Sequence, residues 1–330
     1  MRTPAPLPEG LGEGPFTSAE ARLAGLTPTR LRAGDLERLS HGLYTPAHDD
    51  VPVLALARAV CAASPGAWVS HESAAALHGL PVPPWMDLDA ALHVSRPRAL
   101  PQSRRMGLIA HNVTAFAEEL TEISGVPVAT PGRTWLDLAR RLPLPDLVAL
   151  GDHLIRRPRP ELEGRSAPLD TVAGLRLLVG RHPNLQGIRK ARAALELMRV
   201  GADSVPETKL RLAIVDAGLP EPELQIALRP DDPWSPTADA GYRSVRVGLQ
   251  YEGEHHLTAE QQWRDVERDA QFTDADWLLI KATRKDLANG FDRTVRRLRD
   301  ALVGRGALPQ PGVVRLKPNA ASQHAEKEIS

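Results

Sequence analysis

The chain has 330 residues, 42% hydrophobic and 25% charged, with a formal net charge of zero and a pI near 7.2. That is enough apolar material for two or three cored domains, and too balanced a charge for a protein that coats nucleic acid with an overall basic surface. One cysteine, Cys61, excludes a disulfide framework and a cysteine-ligated zinc site, aromatics at 4% exclude an extended base-stacking face, and no apolar run reaches the ~18–20 residues that cross a bilayer.

Residues 1–14, MRTPAPLPEGLGEG, are Pro- and Gly-rich without period and lack a signal-peptide core. They are expected to be a disordered leader to a soluble, cytoplasmic protein. Residues 15–48 read as a small winged-helix unit. A helix runs from Ser18 to Ala24 with Thr17 or Ser18 as cap, a second from Thr27 to about Arg32 with Pro28 in its first turn, and an apolar hairpin turns at Ser40-His41-Gly42. Residues 49–160 are rich in helix with short strands. Helices are expected over Val51–Ala63, over HESAAALHG behind Ser70, from Thr130-Pro131 to Arg141, and over Asp146–Arg157; strands over Ala91–Ser95 and Leu108–His111. RPRPELEGRSAP, 157–168, reads as a surface connection. From 168 to 305 the pattern gives helices near 170–179 and 187–199 and a third capped by Ser204. Strands at Glu223–Arg229 and Arg243–Glu252, a helix at Thr258–Ala270, a strand at Trp277–Ala282 and a helix at Phe291–Val303 follow. The fold class is therefore α+β, ending in a mixed sheet flanked by helices. Residues 306–330 are polar and expected to be a disordered tail.

Chemistry concentrates in VGLQYEGEHH, residues 247–256. Alternation along a strand puts Val247, Leu249 and Tyr251 on one face and Gly248, Gln250 and Glu252 on the other. Glu254, His255 and His256 follow within a few residues, an unusual crowding of metal-capable side chains. Asp239 lies eleven positions before Gln250, where a tight hairpin would bring it beside Gln250 or Glu252. Glu207, Leu210, Ile214 and Ala217 share a helical stripe, so Glu207 is expected on the face that meets the sheet. Carboxylates in this number suit a hard cation such as Mg²⁺.

SVPETKLRLAIVDAGLPEPELQ, YEGEHH, QQWRDVERDAQF and WLLIKATRKDL, about residues 200–303, resemble the very-short-patch-repair-like endonuclease domains of the PD-(D/E)xK superfamily. The resemblance implies a restriction-endonuclease-like fold and metal-dependent phosphodiester hydrolysis with Mg²⁺ or Mn²⁺. By position it assigns metal-binding roles to Glu207, Asp239 and Glu252, the other paired position to Gln250, and a nearby catalytic histidine to His256. Gln250 departs from the acid usual at its position, and no lysine replaces Glu252. Residues 201–300 carry 14 Lys/Arg against 19 Asp/Glu, an unfavourable field for a phosphate backbone without bound cations, whereas residues 151–200 carry ten against five.

Residues 16–46, SHESAAALHGLPV and VATPGRTWLDLA are similar to the AbiEi-type antitoxin family. That resemblance implies an N-terminal winged helix able to bind operator DNA, with Thr29, Arg30 and Arg32 as contact candidates, and a cognate toxin or other protein as partner. No membrane role is expected. Two readings follow: a DNA endonuclease, or a transcriptional regulator or antitoxin that binds DNA or a partner without cutting. His71-Glu72 is not a metalloprotease pair, because the next histidine, His78, is seven residues on. His71 and His78 are expected to pack or cap, Arg133 to make a buried pair, and Trp263, Val266 and Ala270 to be core. Thr258 and Gln261 read as a capping box.

Overall fold

The computed structural model describes residues 4–12, 14–47, 51–86, 91–100, 107–159, 163–232, 234–253 and 259–309. It is mixed α and β, with eleven helices and three sheets among the described residues, in two compact units, 1–209 and 210–330. No described helix is long and apolar enough to cross a membrane.

The first unit opens with a three-stranded sheet. Phe16–Thr17 (β1) leads into helix Ser18–Leu23 (α1), where Thr17 accepts from the Glu20 N–H and the Glu20 carboxylate accepts from the Thr17 N–H. Leu36–Ser40 (β2) and Leu43–Pro46 (β3) form the expected hairpin, and β1 adds to β3. Leu11, Phe16 and Ala21 make its core, so the leader expected to be free is seated at Leu11. The helix expected over Thr27–Arg32 is not formed; a single 3-10 turn, Arg30–Arg32, takes its place. Thr29 gives this turn no side-chain cap. Arg30 instead grips Asp35 through two hydrogen bonds of 2.8 and 2.7 Å and donates to the Ala5 carbonyl. One turn closed by Gly34 is too short to propagate.

A five-stranded sheet follows, built from Trp68–Val69 (β4), Leu92–Pro97 (β5), Leu108–Val113 (β6), Leu120–Ile123 (β7) and Val126–Ala129 (β8) in the order β6-β5-β4-β8-β7. β5 and β6 run parallel, as do β4 and β8. Helix Val53–Ala62 (α2) sends Ala57, Ala59 and Val60 into a core with Trp68, Leu92, Val94, Val126 and Val128, and half-buried Cys61 packs against it. The remaining helices are His71–Leu77 (α3), Pro131–Leu138 (α4), Leu144–Ile155 (α5), Val172–Arg181 (α6) and Ile188–Leu197 (α7). Grouped by sequence with the C-terminal domain, α6 and α7 instead pack on α4 and α5 and count with the first unit.

Helix α4 is buried from Gly132 to Leu138, Arg133 included. The Arg133 guanidinium donates to Asp137 (2.9 Å), Glu119 (2.5 Å) and the Thr114 carbonyl (2.9 Å), and Glu119 also meets His182 Nε2 at 2.7 Å. One buried cation thus ties α4 to the 3-10 turn Ala117–Glu119 before β7 and to the residue that ends α6. This is the buried pair expected of Arg133.

The boundary between the units falls inside Val205–Asp216 (α8). In the second unit, Glu223–Ala227 (β9), Thr237–Tyr242 (β10), Val247–Glu252 (β11) and Leu278–Thr283 (β12) form a sheet ordered β12-β11-β10-β9; β11 and β12 are parallel, the other pairs antiparallel. TADAGY, expected just ahead of a strand or on its hairpin partner, is that partner. Helices Ala259–Asp274 (α9), Arg284–Ala288 (α10) and Asp292–Gly304 (α11) complete the unit. Leu210, Ile214, Val247, Leu249, Phe291, Leu298 and Leu302 pack on one side, while Ile226, Ala238, Phe272 and Trp277 form a second cluster.

Replacing Arg133 by Met would strand two buried carboxylates without their cation. Arg133→Met is expected to cost about 3–5 kcal/mol in urea unfolding. Pairing it with Glu119→Gln and Asp137→Asn should recover much of the loss; a single mutant within about 1 kcal/mol of the parent would remove this network from the account of stability.

Candidate functional site

Asp239 occupies a break in the pleat of the second unit. Leu224 and Ala240 pack in one core cluster while Ile226 and Ala238 pack in the other, although Leu224 and Ile226, and likewise Ala238 and Ala240, are only two residues apart. The change of face falls at Gln225, whose φ of 51° is left-handed, and at Asp239, which lies between the same two register pairs. A strand that switches faces loses regular ladder bonding there. The Asp239 carboxylate takes over: Oδ2 accepts the Tyr251 N–H at 2.7 Å and Oδ1 accepts from Gln250 Nε2 at 2.9 Å.

Gln250 stands at the centre of the group. Its amide nitrogen is spent on Asp239, and its Oε1 is buried with no hydrogen-bond partner. A buried acceptor left without a donor is costly and calls for an explanation. Across the parallel pair Gln250 faces Lys281, whose Nζ lies 2.5 Å from Glu252 Oε1 and 2.5 Å from Asp269 Oδ2. Burial works against the Lys281 charge, but the hydrogen bonds to Asp269 and Glu252 outweigh it and hold the pKa above its ordinary value. A Cβ at Gly248 would meet the end of the Leu279 side chain at 2.5 Å, so a larger residue there would require that side chain to shift. Asp239 and Gln250 are therefore in direct contact, while Glu252, two residues along the same face of β11, is paired with Lys281.

Glu207 is engaged elsewhere. One oxygen accepts from the Asp203 N–H (2.9 Å) and the other from the Ser204 hydroxyl (2.7 Å), so it closes the start of α8 in the manner of a capping box. It belongs to the first unit, whereas Asp239, Gln250 and Glu252 belong to the second. Leu210, Ile214 and Ala217 of its stripe do enter the core. His256 and the Thr258–Gln261 box lie outside the described residues. Thr29 and Arg32 are exposed, and Arg30 is held by Asp35. Trp263 and Val266 are 63% and 68% exposed, and Ala270 is exposed too, correcting their expected place in the core. Phe272 anchors α9 instead, edge-on to Trp277. At 3.6 residues per turn it lies about 180–240° around the helix from that stripe.

Sequence reasoning missed a second concentration, in the first unit. His71 and Glu72 open α3, His93 lies on β5 and His111 on β6. His71 and His111 stack with ring centroids 3.6 Å apart; His93 Nδ1 is 3.1 Å from His111 Nε2 and 2.9 Å from Glu72 Oε2. Arg141 pairs with the other Glu72 oxygen. Burial, helped by repulsion from His111, pushes the His71 imidazole down to about 2, and burial with repulsion from His93 takes His111 to about 4. Burial opposes the Glu72 charge, yet the His93 hydrogen bond and the surrounding charges hold it at about 2. The one signal was a glutamate in an otherwise small and apolar helix. The histidines are too far apart in sequence for any motif to join them. His78, as expected, packs, its Nε2 on the Ala129 carbonyl at 2.7 Å.

No family model matches the chain, and no solved structure matches it. It is similar to two proteins of Mycobacterium tuberculosis, the uncharacterized protein MT2308 of strain CDC 1551/Oshkosh and the uncharacterized protein Rv2248 of strain ATCC 25618/H37Rv. Each is 27% identical over 270 residues, covering 82% of this chain and 93% of the relative.

The depressed histidines fix the sign of an acid response. Their folded pKa values lie below the unfolded value of about 6.5, so the unfolded chain binds more protons as pH falls below it. Their contribution is complete above about 6.5 and is lost as pH drops towards 4 and beyond. Melting temperature in chelator should fall across this window, and His111→Gln should flatten the slope; an identical slope in both proteins would contradict the assignment.

Proposed function

We propose that the second unit is a DNA endonuclease of the PD-(D/E)xK kind, hydrolysing phosphodiester bonds with Mg²⁺ or Mn²⁺ held by Asp239, Gln250 and Glu252. The observation that carries this reading is the buried, unpartnered Gln250 Oε1 beside the Asp239 carboxylate. A carbonyl oxygen next to a carboxylate is a hard donor pair, and a cation is the ligand that would satisfy it. Gln250 thus keeps the donor atom of the acid it replaces and gives up its charge.

The bound cation would offset phosphate charge and lower the pKa of a water. The chain's own groups do the rest. The Tyr251 N–H and the Gln250 amide hold both Asp239 oxygens, so the carboxylate is oriented before substrate arrives. Lys281 adds fixed positive charge on the same face, replacing part of the electrostatic work missing from an acidic domain. His256 is the proton-transfer candidate, and Glu207 supports the start of α8. DNA is the partner on this reading, with Thr29 and Arg32 of the first unit as exposed contacts.

The second reading, a regulator or antitoxin that binds DNA or a toxin without cutting, is favoured by one observation: Lys281 already pairs with both Glu252 and Asp269, as a built-in substitute for an external cation. Cleavage of supercoiled DNA in Mg²⁺, Mn²⁺ or EDTA separates the two. The endonuclease predicts metal-dependent nicking that Asp239→Ala and Glu252→Ala reduce by about 10²–10³, and that Gln250→Glu raises in Mg²⁺. Gel retardation without cutting, unchanged by EDTA and weakened in Arg32→Ala, would replace it with the regulator.

A further inference from the structure

The histidine cluster belongs to the first unit, not to the unit of the chemistry proposed above, and rests on different donors. One nitrogen from each of His71, His93 and His111 falls within 4.8 Å of the other two. We propose that these three residues bind a single zinc-class transition-metal ion, with a fourth coordination position left to solvent or ligand.

Spacing is the first argument. Ligand nitrogens about 2.0–2.1 Å from a tetrahedral ion stand roughly 3.3 Å from one another. His93 Nδ1 and His111 Nε2 are 3.1 Å apart, near that edge length. Orientation is the second. The Ser70 hydroxyl receives a hydrogen bond from Ser95 Oγ (2.7 Å) and sits 2.9 Å from His71 Nδ1, which leaves Nε2 of His71 for an ion. Such outer partners are what fix the ring of a metal-binding histidine. Charge is the third. Glu72, its side chain 2% exposed, stands 2.9 Å from His93 Nδ1; an ion taken up at that nitrogen would displace the hydrogen bond between them and keep the carboxylate beside it as buried negative charge.

Backbone conformation points the same way. His71 adopts a left-handed φ of 51° although it is not glycine. A residue stays in that region only where its surroundings over-determine it, and such residues cluster at ligand sites. Access is provided by a cavity of about 620 Å³ lined by His71 and His111. Three imidazoles favour Zn²⁺ or Co²⁺ over Mg²⁺, and three protein ligands leave the open position found in catalytic rather than structural zinc sites.

The test is a Co²⁺ titration of the full-length chain, stripped with chelator, followed in the visible spectrum and then competed with Zn²⁺. One equivalent of Co²⁺ should give the intense absorption of a tetrahedral centre, and Zn²⁺ should abolish it. His111→Gln and His71→Gln should weaken binding on the order of 100-fold or more, with circular dichroism confirming that both variants are folded. His111→Cys should bind again, with a sulfur-to-cobalt charge-transfer band that a merely structural role would not produce. Asp239→Ala, which disables the carboxylate group, should titrate like the parent, so failure at one site is distinguishable from failure at the other. No tetrahedral band, or the same band in His111→Gln, would overturn the proposal.

Discussion

Each unit depends on a pair of parallel strands whose pleat sorts its side chains. In the second unit β11 lies between antiparallel β10 and parallel β12, and this register puts Gln250 opposite Lys281. In the first, β5 and β6 share a parallel register that puts Ser95 opposite His111. Because successive residues point to opposite faces, the apolar members Leu92 and Val94, or Val247 and Leu249, enter a core, and their alternates are forced together on the other side. Both candidate sites are products of this sorting. A slip of one residue in either pair would exchange core and site outright.

Much of this was legible in the sequence. Alternation in VGLQYE gave the two faces of β11 correctly, and the eleven-residue interval gave the hairpin contact between Asp239 and Gln250. Caps and breakers located most helices, including the starts of α1, α4 and α8. Readings failed where a local pattern competed with a tertiary partner. TPTRLR has the composition of a helix start, but Arg30 is drawn to Asp35 and Ala5 and only one turn forms. Glu207 sits on the right stripe, but Ser204 and Asp203 claim its carboxylate. Trp263, Val266 and Ala270 keep helical spacing, but Phe272 decides which way the helix turns. The histidine cluster left only the signal of Glu72, because strand order and the start of α3, rather than sequence spacing, bring its members together.

The two sites also differ in how charge is balanced. In the first unit the Arg133 guanidinium is paired with the Glu119 and Asp137 carboxylates, so cation and anions balance within the group, although Arg133 Nη2 and Asp137 Oδ2 keep no hydrogen-bond partner. Glu72 is held between Arg141 and His93, and two neighbouring imidazoles are kept neutral by burial. Around Asp239 the balance is left open. Lys281 answers Glu252 and Asp269, but nothing among the described residues answers Gln250 Oε1. An unmet acceptor inside an otherwise paired group is where an external cation has most to gain.

Donor chemistry then keeps the two units from competing for the same ion. Asp239, Gln250 and Glu252 offer only oxygen, which suits small hard cations that hold water and phosphate. His71, His93 and His111 offer only imidazole nitrogen, which suits borderline ions of the zinc type. A cell supplies the first class in large excess over the second, so affinity alone would let neither site choose; ligand type does. Under the two proposals the histidine group would select one class of ion and the carboxylate group the other. A chain with both would hold two classes of ion, each selected by donors that strand register and, for His71, the start of α3 have placed.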